Sequence, residues 1–145
     1  MFKHILVPID GSATAQLAVD KAIGLAKAFG SRVSSIFVID PYPFTGVGTD
    51  FAYGQAEYLS AATAEANAAI QAAKTMFEQA GVSVETSVIE AHAVWQGVVQ
   101  TADSAQADLI VMGSHGRRGL EKLMLGSVTQ AVLAHTRLPV LVVRD

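Results

Sequence analysis

The sequence predicts one α/β domain, an open, doubly wound, five-stranded parallel sheet of order 3-2-1-4-5 with helices on both faces. Three observations carry that expectation. Short apolar runs alternate along the chain with stretches of helical periodicity, the pattern of parallel strands joined by helical crossovers. Runs such as Leu109 to Met112 are unbroken, as in strands buried on both faces. At 145 residues, 51 % of them hydrophobic, the chain suffices for one substantial core.

Each element has its own signals. Ile5 to Ile9 reads as the first strand, with Asp10-Gly11-Ser12 as the turn after it. Ser12 is a capping residue for a helix whose apolar face includes Leu17, Ile23, Leu25 and Ala28, and Gly30 is its stop. Val33 to Ile39 is the second strand. Residues 41 to 54 make a long connection rich in Pro and Gly, and long connections in compact domains are often functional. An alanine-rich helix is expected from Gln55 to Ala80, burying Leu59, Ala62, Ala66, Ile70, Ala73 and Phe77, with Gly81 past its end. In the third strand Val82, Val84 and Val88 alternate with Ser83, Glu85 and Ser87, so one face is wet and an edge position is expected. Val94 to Ala105 reads as a helix, Asp108 to Met112 as the fourth strand and Leu138 to Val143 as the fifth.

The chemistry concentrates after the fourth strand. The spacing Gly113-x2-Gly116-x9-Gly126-Ser127 follows a buried strand and precedes a helix. Glycines let backbone approach a ligand and reach positive φ, so several N–H groups can converge on one anion. Ser127-Val-Thr-Gln130 reads as a capping box, with Ser127 as N-cap of a helix running to about His135. The free amides and dipole of that helix face the glycine loop, an arrangement suited to phosphate. Arg117 and Arg118 lie beside the loop, where a guanidinium reaches phosphate in bidentate fashion. His115 is placed either to donate to a phosphate oxygen or to face solvent. In a doubly wound sheet the ligand sits at the carboxyl ends of the strands, where strand order reverses. There Asp10 is placed to accept from ribose hydroxyls or a magnesium-bound water, and Ile9 and Val38 to sandwich a base or to pack the core.

Several classes are disfavoured. A net charge of −3 gives no general attraction to nucleic acid or to acidic membrane surfaces. Without cysteine there is no disulfide, thiolate nucleophile or cysteine zinc site. The four histidines lack metal-binding spacing. No apolar stretch approaches the roughly 18 residues of a membrane span, and the apolar run before Asp10 is too short for a signal peptide, so a cytoplasmic protein is expected. The Gly-x4-Gly-Lys-Ser/Thr loop is missing, as is a Gly-x-Gly-x-x-Gly after the first strand.

Lys3-His-Ile-Leu-Val-Pro-Ile-Asp-Gly-Ser12, Phe37-Val-Ile-Asp40, Asp108 to Arg117, Gly126-Ser-Val-Thr129 and Pro139-Val-Leu-Val-Val143 together resemble the universal stress protein family over essentially the whole chain. The glycine spacing is similar to that of the family's ATP-binding branch. The resemblance implies that Pro8, Asp10 and Val38 contact adenine and ribose. It also implies phosphate contacts from Met112, Gly113, Gly116, Gly126, Ser127 and Val128. One departure is Ala91-His92-Ala93, followed by Trp95, where the family often has Gly and Pro.

Three functions compete: a module whose state depends on bound ATP, an enzyme that hydrolyses ATP or transfers phosphoryl groups, and an interaction protein whose glycine loop is structural. Phosphoryl transfer needs a group that orients the nucleophile. The loop offers phosphate ligands but no evident water-positioning carboxylate or Gln, which favours a switch binding ATP with magnesium over turnover. The last strand, Leu138 to Val143, lies at a sheet edge without charge or bulge, so a homodimer through it is expected.

Overall fold

A computed structural model describes residues 1–41, 49–116 and 124–145, apart from the side chains of 49–53. Its elements are β1 (His4–Ile9), α1 (Ala13–Phe29), β2 (Arg32–Ile39), α2 (Thr49–Gln79), β3 (Val84–Glu90), α3 (Val94–Ser104), β4 (Leu109–Gly113), α4 (Ser127–His135) and β5 (Val140–Val143). The five strands are parallel and ordered β3-β2-β1-β4-β5. This is the predicted architecture.

Strand alternation divides the core in two. Ile5, Val7 and Ile9 of β1 face α1 and α2, meeting Val19, Ala22, Ala73 and the fully buried Phe77. Leu6, with Ile36 and Val38 of β2, faces the other way toward Val98 and Ala102 of α3 and Val132 of α4. Burying a side chain of this size stabilises by about 1.5–3 kcal/mol. Both faces are therefore apolar, and the central strands cannot slip by one residue without exposing one set. β3 shows the expected edge pattern, with Glu85, Ser87 and Glu90 exposed.

Several expectations are corrected. The face that α1 buries is Thr14, Ala15, Ala18, Val19, Ala22 and Ala26, whereas Leu17 and Ala28 are exposed. Small side chains let this helix lie close on the sheet, while Ile23 and Leu25 pack at the margin. α2 begins at Thr49, six residues before Gln55, so the connection after β2 is correspondingly shorter. β3 starts at Val84 and not Val82. β5 starts at Val140 because the amide of Leu138 is taken by the Thr136 hydroxyl, 3.1 Å away, and Pro139 has none to offer. Ser12 and Gly30 behave as expected: the Ser12 side chain accepts from the Ala15 amide, and Gly30 takes a left-handed φ of 65°.

At the amino ends of the strands, buried His4 ties three elements together. Its Nδ1 lies 3.0 Å from the Ala105 carbonyl and its Nε2 lies 2.8 Å from Ser34 Oγ. Asp108 accepts from the amides of Lys3 and His4. These bonds tie β1 to β2 and to the segment that leads into β4.

Candidate functional site

Pro8 stands in the central strand of the sheet, a position where proline ordinarily removes a ladder hydrogen bond. The Lys3 carbonyl bonds to Arg32 in β2, and the His4 carbonyl bonds to Asp108 beside β4. Even-numbered residues of β1 therefore address β4, and the N–H that Pro8 lacks belongs to that side. β1 pairs with β2 through Ile9 but with β4 only at Ile5 and Leu6. Beyond Leu6 the two central strands part, and a crevice of about 450 Å³ opens at their carboxyl ends. That is the point where strand order reverses.

The residues anticipated from sequence largely converge there. Pro8, Asp10, Val38, Gly113, His115, Gly116, Gly126, Ser127 and Val128 line the crevice. Met112 does not: its side chain is buried in the core with Leu6, Ile36 and Ile110, as the alternation of β4 requires. Arg117 and Arg118, like residues 42–48 of the connection after β2, lie outside the described residues. Ile9 serves both the core and the crevice wall. The crevice also contains Ser12, expected there with Asp10 in the turn after the first strand, and Ala15, Val94, Val98 and Thr129, which were not anticipated. Val94 and Val98 are four apart on α3 and read in sequence as ordinary core spacing.

Trp95 is turned elsewhere. Its ring stacks on His135 of α4, with centroids 4.0 Å apart and planes 22° apart.

The glycines work by close approach and not by left-handed backbone. None of Gly113, Gly116 and Gly126 has positive φ; near the crevice that conformation belongs to Gly11, at 83°. A Cβ on Gly113 would stand 2.9 Å from Thr14 Oγ1, so this glycine lets β4 seat against α1. A Cβ on Gly126 would stand 3.0 Å from His115 Cα, so this one holds the two ends of the glycine loop together. A Cβ on Gly116 would collide with Asp10 Oδ2. Gly97 belongs to the same set unexpectedly: a Cβ there would stand 2.7 Å from Val38 Cγ1.

The expected capping box is replaced by a different arrangement. The N-cap of α4 is Gly126, extended at φ −65° and ψ 159°, and Ser127 is already the first helical residue. Gln130 does not reach back to Ser127; its Nε2 donates to the Leu125 carbonyl at 2.7 Å. No side chain caps α4, so the amide-rich end of this nine-residue helix faces the crevice uncapped.

A hydrogen-bond frame fixes the walls. The Gly126 amide donates to the Ser114 carbonyl at 2.7 Å, and the Ser114 amide to the Val143 carbonyl at 2.8 Å. Buried Thr129 donates its hydroxyl to the Gly113 carbonyl at 2.9 Å, and Thr14 donates to the His115 carbonyl. On the facing side Asp10 Oδ1 accepts from the Ser12 amide at 2.9 Å. The crevice thus sets one carboxylate against a helix amide end, with apolar walls at Val38, Val94 and Val98. This suits a ligand with a flat apolar part, hydroxyls and an anionic group. Among the described residues no cluster of three His, Asp or Glu forms a metal site, and no helix is long and apolar enough to cross a membrane.

Comparison with known proteins agrees with this fold. The universal stress protein MJ0531 of Methanocaldococcus jannaschii is 37 % identical over 145 residues, covering 99 % of this chain and 83 % of its own. The solved structure of MJ0577 from the same organism superposes with a TM-score of 0.84 at 29 % identity, covering 100 % of this chain and 97 % of that one. A universal stress protein solved in complex with cAMP gives a TM-score of 0.70 at 25 % identity, over 99 % and 97 % of the two chains. The family model described as the universal stress protein family matches residues 1–144, and the chain belongs to that family.

Proposed function

We propose that the crevice binds an adenine nucleotide, ATP with magnesium, and that the protein acts as a nucleotide-dependent switch with slow or negligible hydrolysis. The observation that carries this reading is the pairing of Asp10 with the uncapped end of α4 across the gap that Pro8 opens. In this reading the base lies between Val38 and the Pro8–Ile9 end of β1, and Asp10 accepts from ribose. The phosphates meet Gly113, His115 and Gly116 and the amides of Ser127 and Val128, with Arg117 adding its guanidinium. The relative that binds cAMP supports an adenine nucleotide as the ligand class. Magnesium enters with the phosphates, as this ion commonly does when few protein ligands are supplied.

Binding is favoured over turnover because tight ground-state contacts do not lower a chemical barrier. Asp10 supplies a carboxylate on the described wall, and one of its oxygens is held by the Ser12 amide. A homodimer through β5 is part of the same proposal. Calorimetry of nucleotide-free protein with ATP, ADP, AMP, cAMP and GTP, with and without magnesium, tests the reading. Micromolar affinity, about −8 kcal/mol, is expected for ATP. Absence of heat with every adenine nucleotide refutes it.

A further inference from the structure

Two buried threonines, on helices from opposite faces of the sheet, grip the glycine loop. Thr14 in the first turn of α1 and Thr129 in the first turn of α4 are each 2 % exposed. Thr129 gives its hydroxyl proton to the Gly113 carbonyl, 2.9 Å away, and Thr14 gives its own to the His115 carbonyl. The Ser114 carbonyl between them accepts from the Gly126 amide at 2.7 Å. Three consecutive carbonyls of the loop are thus engaged, two of them by hydroxyls 16 and 101 residues away in the chain. A threonine in the first turn of a helix ordinarily bonds to neighbouring backbone. Here both reach across to the loop, and the Ser12 hydroxyl, 3.3 Å from Thr14 Oγ1, is left to donate to Thr14.

Engaging a carbonyl also aims the amide that follows it. A trans peptide sets its C=O and its N–H on opposite sides of one plane, and the described residues contain no cis bond. The plane between Gly113 and Ser114 is fixed at both ends, by Thr129 and by the Val143 carbonyl, which takes the Ser114 amide at 2.8 Å. The plane between His115 and Gly116 is held at its carbonyl by Thr14. That plane is an easy one to turn over, because its flip carries the φ of Gly116 to positive values that glycine adopts freely. Turned over, it would exchange the Gly116 N–H for a carbonyl oxygen, which repels an anion. Gly113 gives Thr14 the room to prevent this: a Cβ on Gly113 would stand 2.9 Å from Thr14 Oγ1 and 3.0 Å from Thr14 Cβ.

We infer that Thr14 and Thr129 are positioning residues for the phosphates of the ligand: by engaging the His115 and Gly113 carbonyls they make the glycine loop present N–H groups and no bare oxygen. This role rests on the nucleotide reading above. A loop carbonyl that loses its threonine donor either stays bare or turns its peptide to find another partner. Both outcomes set negative charge against the phosphates and leave the base and ribose contacts untouched. Losing one hydrogen bond to a charged group in this way corresponds to about a tenfold loss in affinity or more.

The test is calorimetry of the full chain with magnesium-saturated ATP and, separately, with adenosine. Thr14→Val and Thr129→Val keep the shape of the side chain and remove the hydroxyl. Each is expected to weaken ATP about tenfold while adenosine binds as to wild type. Thr14→Ser and Thr129→Ser, which keep the hydroxyl, are expected to retain the wild-type ATP affinity. Gly113→Ala, by crowding Thr14, is expected to reproduce Thr14→Val. Where a valine protein does not fold, Thr14→Ala or Thr129→Ala is read in the same way. ATP affinity unchanged in the folded variants, or ATP and adenosine weakened in parallel, overturns the inference and leaves the nucleotide site standing. Absence of ATP binding by wild type overturns the nucleotide reading and this role with it.

Discussion

Asp10 and Gly116 face each other across the parting of β1 and β4 so closely that any side-chain carbon at position 116 would collide with Asp10 Oδ2. The glycine loop and the first turn are therefore fitted to one another, and not independently to a ligand. Gly116→Ala is expected to swing the Asp10 carboxylate aside and loosen its bond to the Ser12 amide. That neutral-donor bond is worth on the order of 1 kcal/mol, so the fold should survive. ATP affinity should fall at least tenfold by calorimetry. Unchanged affinity in a folded variant would remove Asp10 from the site.

Gly97→Ala tests the opposite wall. The added carbon would stand 2.7 and 3.0 Å from the two methyls of Val38 and 3.2 Å from Ala91 Cβ. Overpacking of this kind costs about 1–3 kcal/mol, against roughly 1 kcal/mol gained from helix propensity. A net loss on the order of 1 kcal/mol is expected in denaturant unfolding, with Val38 pressed into the crevice. Adenosine and ATP should weaken together, because the change lies at the base and not at the phosphates. Loss of ATP binding with adenosine binding intact would contradict that placement.

Asp108 gives a pH dependence remote from the crevice. Burial pushes its carboxyl up, but the amides of Lys3 and His4 outweigh that and leave it below the ordinary 3.8. A depressed folded pKa stabilises the protein above 3.8 and loses that contribution as pH falls through the folded value. Asp108→Asn should be less stable than wild type at neutral pH by about 1 kcal/mol. The difference should close as pH drops below 3.8. A gap that stays constant to low pH would show that packing, not charge, holds this end of the sheet.

The strands and their order were legible because burial writes them plainly. Unbroken runs such as Leu109 to Met112 mark the centre, and the alternation of Val84 with Glu85 marks the edge. The site was legible where glycine and a strand end coincide. It was not legible where helices contribute: Val94 and Val98 look like core from their spacing, since a crevice wall and a core face demand the same residues. The cap of α4 was placed one residue late because Gly126 and Ser127 are both good caps, and only the extended backbone of Gly126 decides between them. Met112 was carried over from the family resemblance, although its neighbours in β4 alternate it into the core. Pro8 held an unread signal, since a proline in a central strand implies that the ladder ends beside it.

The last prediction concerns β5. The strand pairs with β4 on one side, and among the described residues no strand covers its other edge. Leu141 is 39 % exposed, and Val140 and Val142 are half-buried. An uncharged apolar edge of this kind is a template for a second chain, and antiparallel pairing about a two-fold axis would bring two copies of β5 together and close the assembly. Wild type is expected to sediment as a dimer, with a melting temperature that rises with protein concentration. Leu141→Asp places two like charges near that axis and should yield a monomer. Because the side chain is already exposed, the subunit itself should lose little, within roughly 0.5 kcal/mol when compared as monomers. A variant that remains dimeric moves the interface to another face. A wild type that is monomeric at every concentration refutes the dimer.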